Sequence, residues 1–214
     1  MFSDAVKEVL RAVSGALQIP TIVILLILIA VTVVMLGSII GEFFTERKQL
    51  KVRIPMLIDD IQGISAKETG AIIEASGLLK RQKKAIGELL SRTAIPEAER
   101  EALARQLIFE EQAHYDRISR ITDLVAKIAP MFGLMGTLIP LGPGLIALGQ
   151  GDTKTLSSSL LIAFDTTVAG LISAAVSYII SSVRNRWYEE YMVNLETVME
   201  CILEEQNREI TDEN

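Results

Sequence analysis

The feature that most constrains this chain is a run of 23 residues, 19–41, without a single charge. As an α-helix at 1.5 Å per residue it reaches about 34 Å, enough to cross a ~30 Å hydrocarbon core with some tilt. A cleavable secretory signal has an apolar stretch of only about 7–15 residues, followed by a small-residue cleavage site. This run is longer and ends in Gly41, Glu42, Phe43 and Phe44, so it reads as a retained span. Two more blocks follow. Residues 128–149 are uncharged despite Pro130, Pro140 and Pro143, and residues 156–183 hold one charge, Asp165. Only Gln150, Gly151, Asp152, Thr153, Lys154 and Thr155 lie between them, which makes the last two spans a tight helical hairpin. The expected fold is an all-α membrane protein with three transmembrane helices and long helical extensions.

Direction follows from the basic residues near the span ends, because cytoplasmic flanks carry the excess of Lys and Arg. One side has Arg47, Lys48, Lys51, Arg53, Arg117, Arg120, Lys127, Arg184 and Arg186; the other has Lys7, Arg11 and Lys154. Nine against three puts the N-terminus and the hairpin turn outside. The chain then divides into an outer N-terminal amphipathic segment (1–18), the first span (19–41), a cytoplasmic helical loop (42–127), the second and third spans (128–149 and 156–183) and a cytoplasmic C-terminal helix (184–214).

The loop has helical character. Between residues 65 and 90, Ile72, Ile73, Leu78, Leu79, Ile86, Leu89 and Leu90 recur at helical spacing, with Lys80, Arg81, Lys83 and Lys84 on the other faces. A break is expected over residues 91–96, with Thr93 or Ala94 near the cap and Pro96 in the first turn of the next helix. Glu97, Glu99 and Glu101 complement the dipole there. From Pro96 nothing stops the helix before Pro130, so one long rod should run straight into the second span. The tail after Arg186 is amphipathic and acidic.

Chemistry on the enzyme pattern is absent. There is no P-loop, no Gly-rich dinucleotide turn, no His-Glu-x-x-His and no nucleophile elbow. One cysteine, Cys201, excludes an intrachain disulfide, and one histidine, His114, leaves no histidine-based zinc site. Cys201 falls on the apolar stripe of the tail helix and reads as a packed thiol, while His114 reads as a solvated side chain on a polar helix. A net charge of −6 lacks the basic footprint of a nucleic-acid binder. No metal site, cofactor or covalent catalysis is expected.

The spans say more. In the second, Gly133, Gly136 with Thr137, Pro140 and Gly144 form one stripe of small residues; in the third, Ala163, Thr167, Gly170, Ala174, Ser177 and Ser181 do the same. Small residues let membrane helices approach closely, and their hydroxyls can bond back to their own backbone. Depth adds a second meaning. Thr137 is about 14 Å above the cytoplasmic end of its span and Thr167 about 16 Å below the outer end of its own, near the midplane in both cases. Two threonines meeting at mid-depth are what a polar pore lining needs. The stripes themselves are expected to pack toward a central partner or adjacent subunits.

Here the residues carry a resemblance. Ala129-Pro130-Met131-Phe132-Gly133-Leu134-Met135-Gly136-Thr137 resembles the Ala-Pro-x-x-Gly-x-x-Gly-Thr signature that opens the second helix of the TolQ/ExbB/MotA proton-channel family. Ala163-Phe164-Asp165-Thr166-Thr167-Val168-Ala169-Gly170 is similar to that family's third-helix pattern, Ala-Leu-x-x-Thr-x-x-Gly. The layout is closest to the three-helix ExbB/TolQ branch. The resemblance implies a homopentameric ring around two copies of a single-span ExbD/TolR/MotB-like partner, whose membrane carboxylate takes up and releases the ion. Thr137 and Thr167 match the family's path-lining threonines. Flow of protons, with sodium as the alternative, would be converted into mechanical work in a stator-like motor of the inner membrane. The competing reading is a non-conducting membrane scaffold whose hairpin serves oligomerisation.

Asp165 departs from the family pattern. Two residues before Thr167, it is about 200° away round the helix and cannot share the Thr167 face. Its own side carries Ala169, Ile172 and Val176, which reads as a helix interface. That favours a structural carboxyl that hydrogen-bonds to a neighbouring helix over an ion site relaying to the partner. Pro140 and Pro143 are expected to kink the outer half of the second span.

Overall fold

A computed structural model describes residues 2–47, 54–64, 66–92 and 95–212. Six α-helices follow one another: α1 (Phe2–Glu42), α2 (Ile54–Ile61), α3 (Ala66–Ala75), α4 (Lys80–Leu90), α5 (Glu97–Gly149) and α6 (Thr153–Asp212), with a π-helical turn at Phe43–Arg47 after α1. The described residues contain no strand, and α1, α5 and α6 are each long and apolar enough to cross a membrane. The protein is all-α and membrane-embedded. Lys48, Lys51, Arg53 and the expected cap at Thr93 or Ala94 lie outside the described residues.

Two compact units divide the chain. The first comprises residues 1–38 and 120–182, the three spans. Its hairpin closes through a turn with two clear causes. Asp152 N donates to Ala147 O at 2.9 Å and Gly151 N to Leu148 O at 3.0 Å, which satisfies the last carbonyls of α5. Gly151 takes φ +80°, a conformation a side chain would strain. Asp152 then caps α6 by accepting from Thr155 N at 3.1 Å and from the Thr155 hydroxyl. These bonds hold its carboxyl below the ordinary range. The rod expected from Pro96 is α5 itself, a helix unbroken through Pro130, Pro140 and Pro143. Likewise α1 runs through Pro20, so residues 2–18 continue the first span without a break.

The second unit, residues 39–119 and 183–214, is a helical bundle. Its core joins Leu57 and Ile61 of α2, Ile73 of α3, Ile86 and Leu89 of α4, Leu107 of α5, and Leu195, Val198, Met199 and Ile202 of α6. The continuous helical stretch expected over 65–90 is corrected here: it is two helices broken at Ser76–Leu79. The Ser76 hydroxyl bonds back to Ile73 O at 2.6 Å and receives Leu78 N at 3.4 Å, while Leu79 N is taken by Gln82 Oε1 at 3.1 Å. Side chains supply what the helix ladder would otherwise have to. Gln82 is buried, and its Nε2 donates to Tyr191 O at 2.8 Å.

Within this unit a buried ion pair joins the C-terminal end of α1 to α6. Arg184, expected as a basic flank residue, is 4% exposed and donates to Glu42 at 3.1 Å; the Tyr188 hydroxyl donates to the other Glu42 oxygen at 2.8 Å. Tyr115, Trp187 and Tyr191 pack beside this cluster. At the far end of the bundle, buried Arg100 donates to Gln206 Oε1 at 3.2 Å and Asn207 Oδ1 at 2.7 Å.

Candidate ion-path face of the hairpin

The hairpin seam is built on backbone approach. A Cβ at Gly170 would stand 2.8 Å from both Ala129 O and Gly133 Cα, and one at Gly136 only 2.6 Å from Thr166 Cβ. Further out, Gly144 faces Ser159, whose Cβ would lie 3.0 Å from a Gly144 Cβ. Pro140, Ala163 and Ala174 are buried as well. The small-residue stripes therefore pack against each other inside one chain. This corrects the expectation that they face a central partner or adjacent subunits. The reason is geometric: once Gly133 and Gly170 bring the two backbones together, the glycines of both stripes are consumed in the seam, while Thr137 and Thr167 stay partly exposed beside it.

Across that seam the threonine meeting α5 is Thr166, which is buried on Gly136, rather than Thr167. Thr137 and Thr167 are both partly exposed. Each hydroxyl donates to its own helix, Thr137 to Leu134 O at 2.6 Å and Thr167 to Ala163 O at 3.0 Å. The hydroxyl oxygens keep lone pairs with which to accept a proton donor or hold a cation.

Helix geometry fixes where these two oxygens lie. At 3.6 residues per turn, Thr137 and Thr167 each sit roughly 60–70° past the contact line of their own helix. In antiparallel helices, equal rotations taken from N- to C-terminus carry side chains to the same flank of the pair. Gly136 on Thr166 sets them at one level. The flank they share is open, with Leu148 48%, Leu171 54% and Tyr178 67% exposed along it. Burial extends on the other flank instead, where Ile139 of α5 and Ser173 and Ile180 of α6 are covered and Thr32 of α1 lies 3.3 Å from Ser177.

Asp165 lies roughly 130° round α6 in the opposite sense from Thr167. It is exposed, and makes no hydrogen bond or ion pair with the described residues. The helix interface expected for it is not within this chain: Ile172 beside it is 59% exposed. At the opposite end of the hairpin, the Ser181 hydroxyl bonds Asp123, a carboxylate the sequence reading passed over. No group of His, Cys, Asp or Glu among the described residues could hold a metal ion.

The outcome is a class: an all-α membrane protein whose last two spans form a glycine-sealed hairpin with two mid-depth hydroxyls on one open flank. Residues 73–197, more than half the chain, match the MotA/TolQ/ExbB proton channel family, and the chain belongs to that family. It is also 28% identical over 153 residues to motility protein A of Borreliella burgdorferi, covering 69% of this chain and 56% of that relative. The chain thus spans little more than half the length of that protein.

Proposed function

We propose that this chain is the ring subunit of a proton-driven motor, in which the open threonine flank lines the ion path. The observation supporting this most directly is that Thr137 and Thr167 share one exposed flank at one depth, opposite the flank against which α1 packs. In such a ring five copies would turn that flank inward toward two copies of a single-span partner. The partner's membrane carboxylate would exchange its proton along hydroxyls whose oxygens are free to accept. Sodium is the alternative ion. The subunit would sit in the inner membrane, with the N-terminus and hairpin turn outside and the helical bundle in the cytoplasm. The nine-to-three bias of basic residues supports that direction.

The test is ion flux in proteoliposomes that hold the chain together with its single-span partner. Replacing Thr137 and Thr167 together by valine keeps the branched shape and removes both hydroxyls. Flux should fall at least about tenfold while ring size by native mass measurement is unchanged. Undiminished flux would overturn the path and leave the non-conducting scaffold as the better reading.

A further inference from the structure

Asp165 poses a separate problem, because something must cover it. It lies about 14 Å below Leu156, near the middle of a ~30 Å hydrocarbon core. Around it on the same side of α6 are Leu161, Val168 and Ile172, at 61%, 55% and 59% exposed. A carboxylate turned to lipid at that depth costs at least about 2.5–3.5 kcal/mol, so lipid is a poor cover. The chain's own α1 and α5 leave the residue exposed. A central partner on the threonine flank would be roughly 160° away round α6.

We infer that the face of α6 formed by Leu161, Asp165, Val168 and Ile172 receives a second copy of this chain, and that Asp165 makes its missing hydrogen bond there. The inference rests on the ring reading above. A cyclic contact is head-to-tail, so this face meets a different surface of the next copy. That keeps one Asp165 from meeting another, which a two-fold contact through this face would force. No Lys or Arg occurs in residues 19–41, 128–149 or 156–183. The group that answers Asp165 is therefore a neutral polar group at mid-depth, such as a hydroxyl, rather than a cation.

Photocrosslinking in the full chain tests this. Because the contact is head-to-tail, paired identical cysteines need not meet, so a benzophenone amino acid at position 168 is the suitable probe, with a second at position 178 on the threonine flank. The position-168 probe should give chain-to-chain adducts. Adducts only to lipid or to the single-span partner, from a chain that native mass measurement shows to be in a ring, would overturn this inference alone. A wild-type chain that forms no ring would overturn the ring reading and this inference with it. In parallel, Asp165→Asn should keep the ring, whereas Asp165→Leu should weaken each subunit contact roughly three- to tenfold. A ring of undiminished stability in Asp165→Leu would also count as refutation.

Discussion

The spans and the bundle solve the same packing problem with different residues. In the bundle, Leu195, Val198 and Met199 are completely buried, and Ile61, Ile86 and Leu89 meet them. Along the hairpin Leu134, Leu138, Leu145 and Leu161 point away, each 58–61% exposed, and the seam belongs to Gly133, Gly136, Gly144 and Gly170. Water drives leucine together at about 25 cal/mol per Å² of buried apolar area. Lipid offers no such drive, so close approach of backbones and satisfied hydroxyls replace it. The same residue type thus carries opposite weight in the two units.

Leucine-to-alanine substitutions make the largest test of that contrast. Leu195→Ala empties a fully buried position in the bundle and should cost about 2–5 kcal/mol. Leu134→Ala removes a similar side chain from a 58% exposed position in a span and should leave unfolding in detergent almost unchanged. Denaturant midpoints of the two variants measure the difference. Equal losses would mean that the spans are also held by leucine burial.

Glycine sharpens the contrast from the other side, with a smaller effect and a change of sign. Gly170→Ala drives a methyl to 2.8 Å from Ala129 O and Gly133 Cα, both backbone atoms, so the seam must open; about 1–3 kcal/mol is the usual cost of overpacking. Gly87 lies inside α4 with nothing within 4 Å of its Cβ position. Gly87→Ala should stabilise the bundle by roughly 0.5–1 kcal/mol, because alanine loses less backbone freedom in a helix. Thermal unfolding of both variants should shift in opposite directions.

The parts legible in the sequence were those with local signals. Uncharged runs gave the spans, Pro96 and the acidic first turn marked the start of α5, and Gly151 with Asp152 lay within the hairpin link. The break at Ser76–Leu79 was hidden because Ile72, Ile73, Leu78 and Leu79 keep the helical period across it. The Glu42–Arg184 pair and the clamp of Arg100 on Gln206 and Asn207 join residues more than a hundred positions apart. Nothing in the local sequence separates a buried arginine from a surface one. In the seam, adjacent Thr166 and Thr167 differ only in their rotation relative to Gly136, which becomes visible once the glycine contacts are known.

The smallest expected effect concerns charge in the bundle, and it has no counterpart in the seam. His114, expected as a solvated side chain, is half-buried, and its pKa is lowered first by that burial and next by the Arg81 cation. Arg117 acts in the same direction, while Glu111, which Arg81 binds at 2.9 Å, opposes them. In the unfolded chain His114 titrates near its ordinary value of about 6.5. Between the folded and unfolded values the unfolded chain binds more protons, so stability rises with pH. The bundle is therefore at full strength above about pH 6.5 and loses a small increment as pH falls through the lowered folded value. His114→Gln keeps a polar side chain and removes the titration. Its unfolding midpoint should change less between pH 7.5 and pH 5 than that of the wild type, measured on the full chain in one detergent. An identical pH dependence in the two proteins would show that burial of this imidazole carries no weight in the bundle.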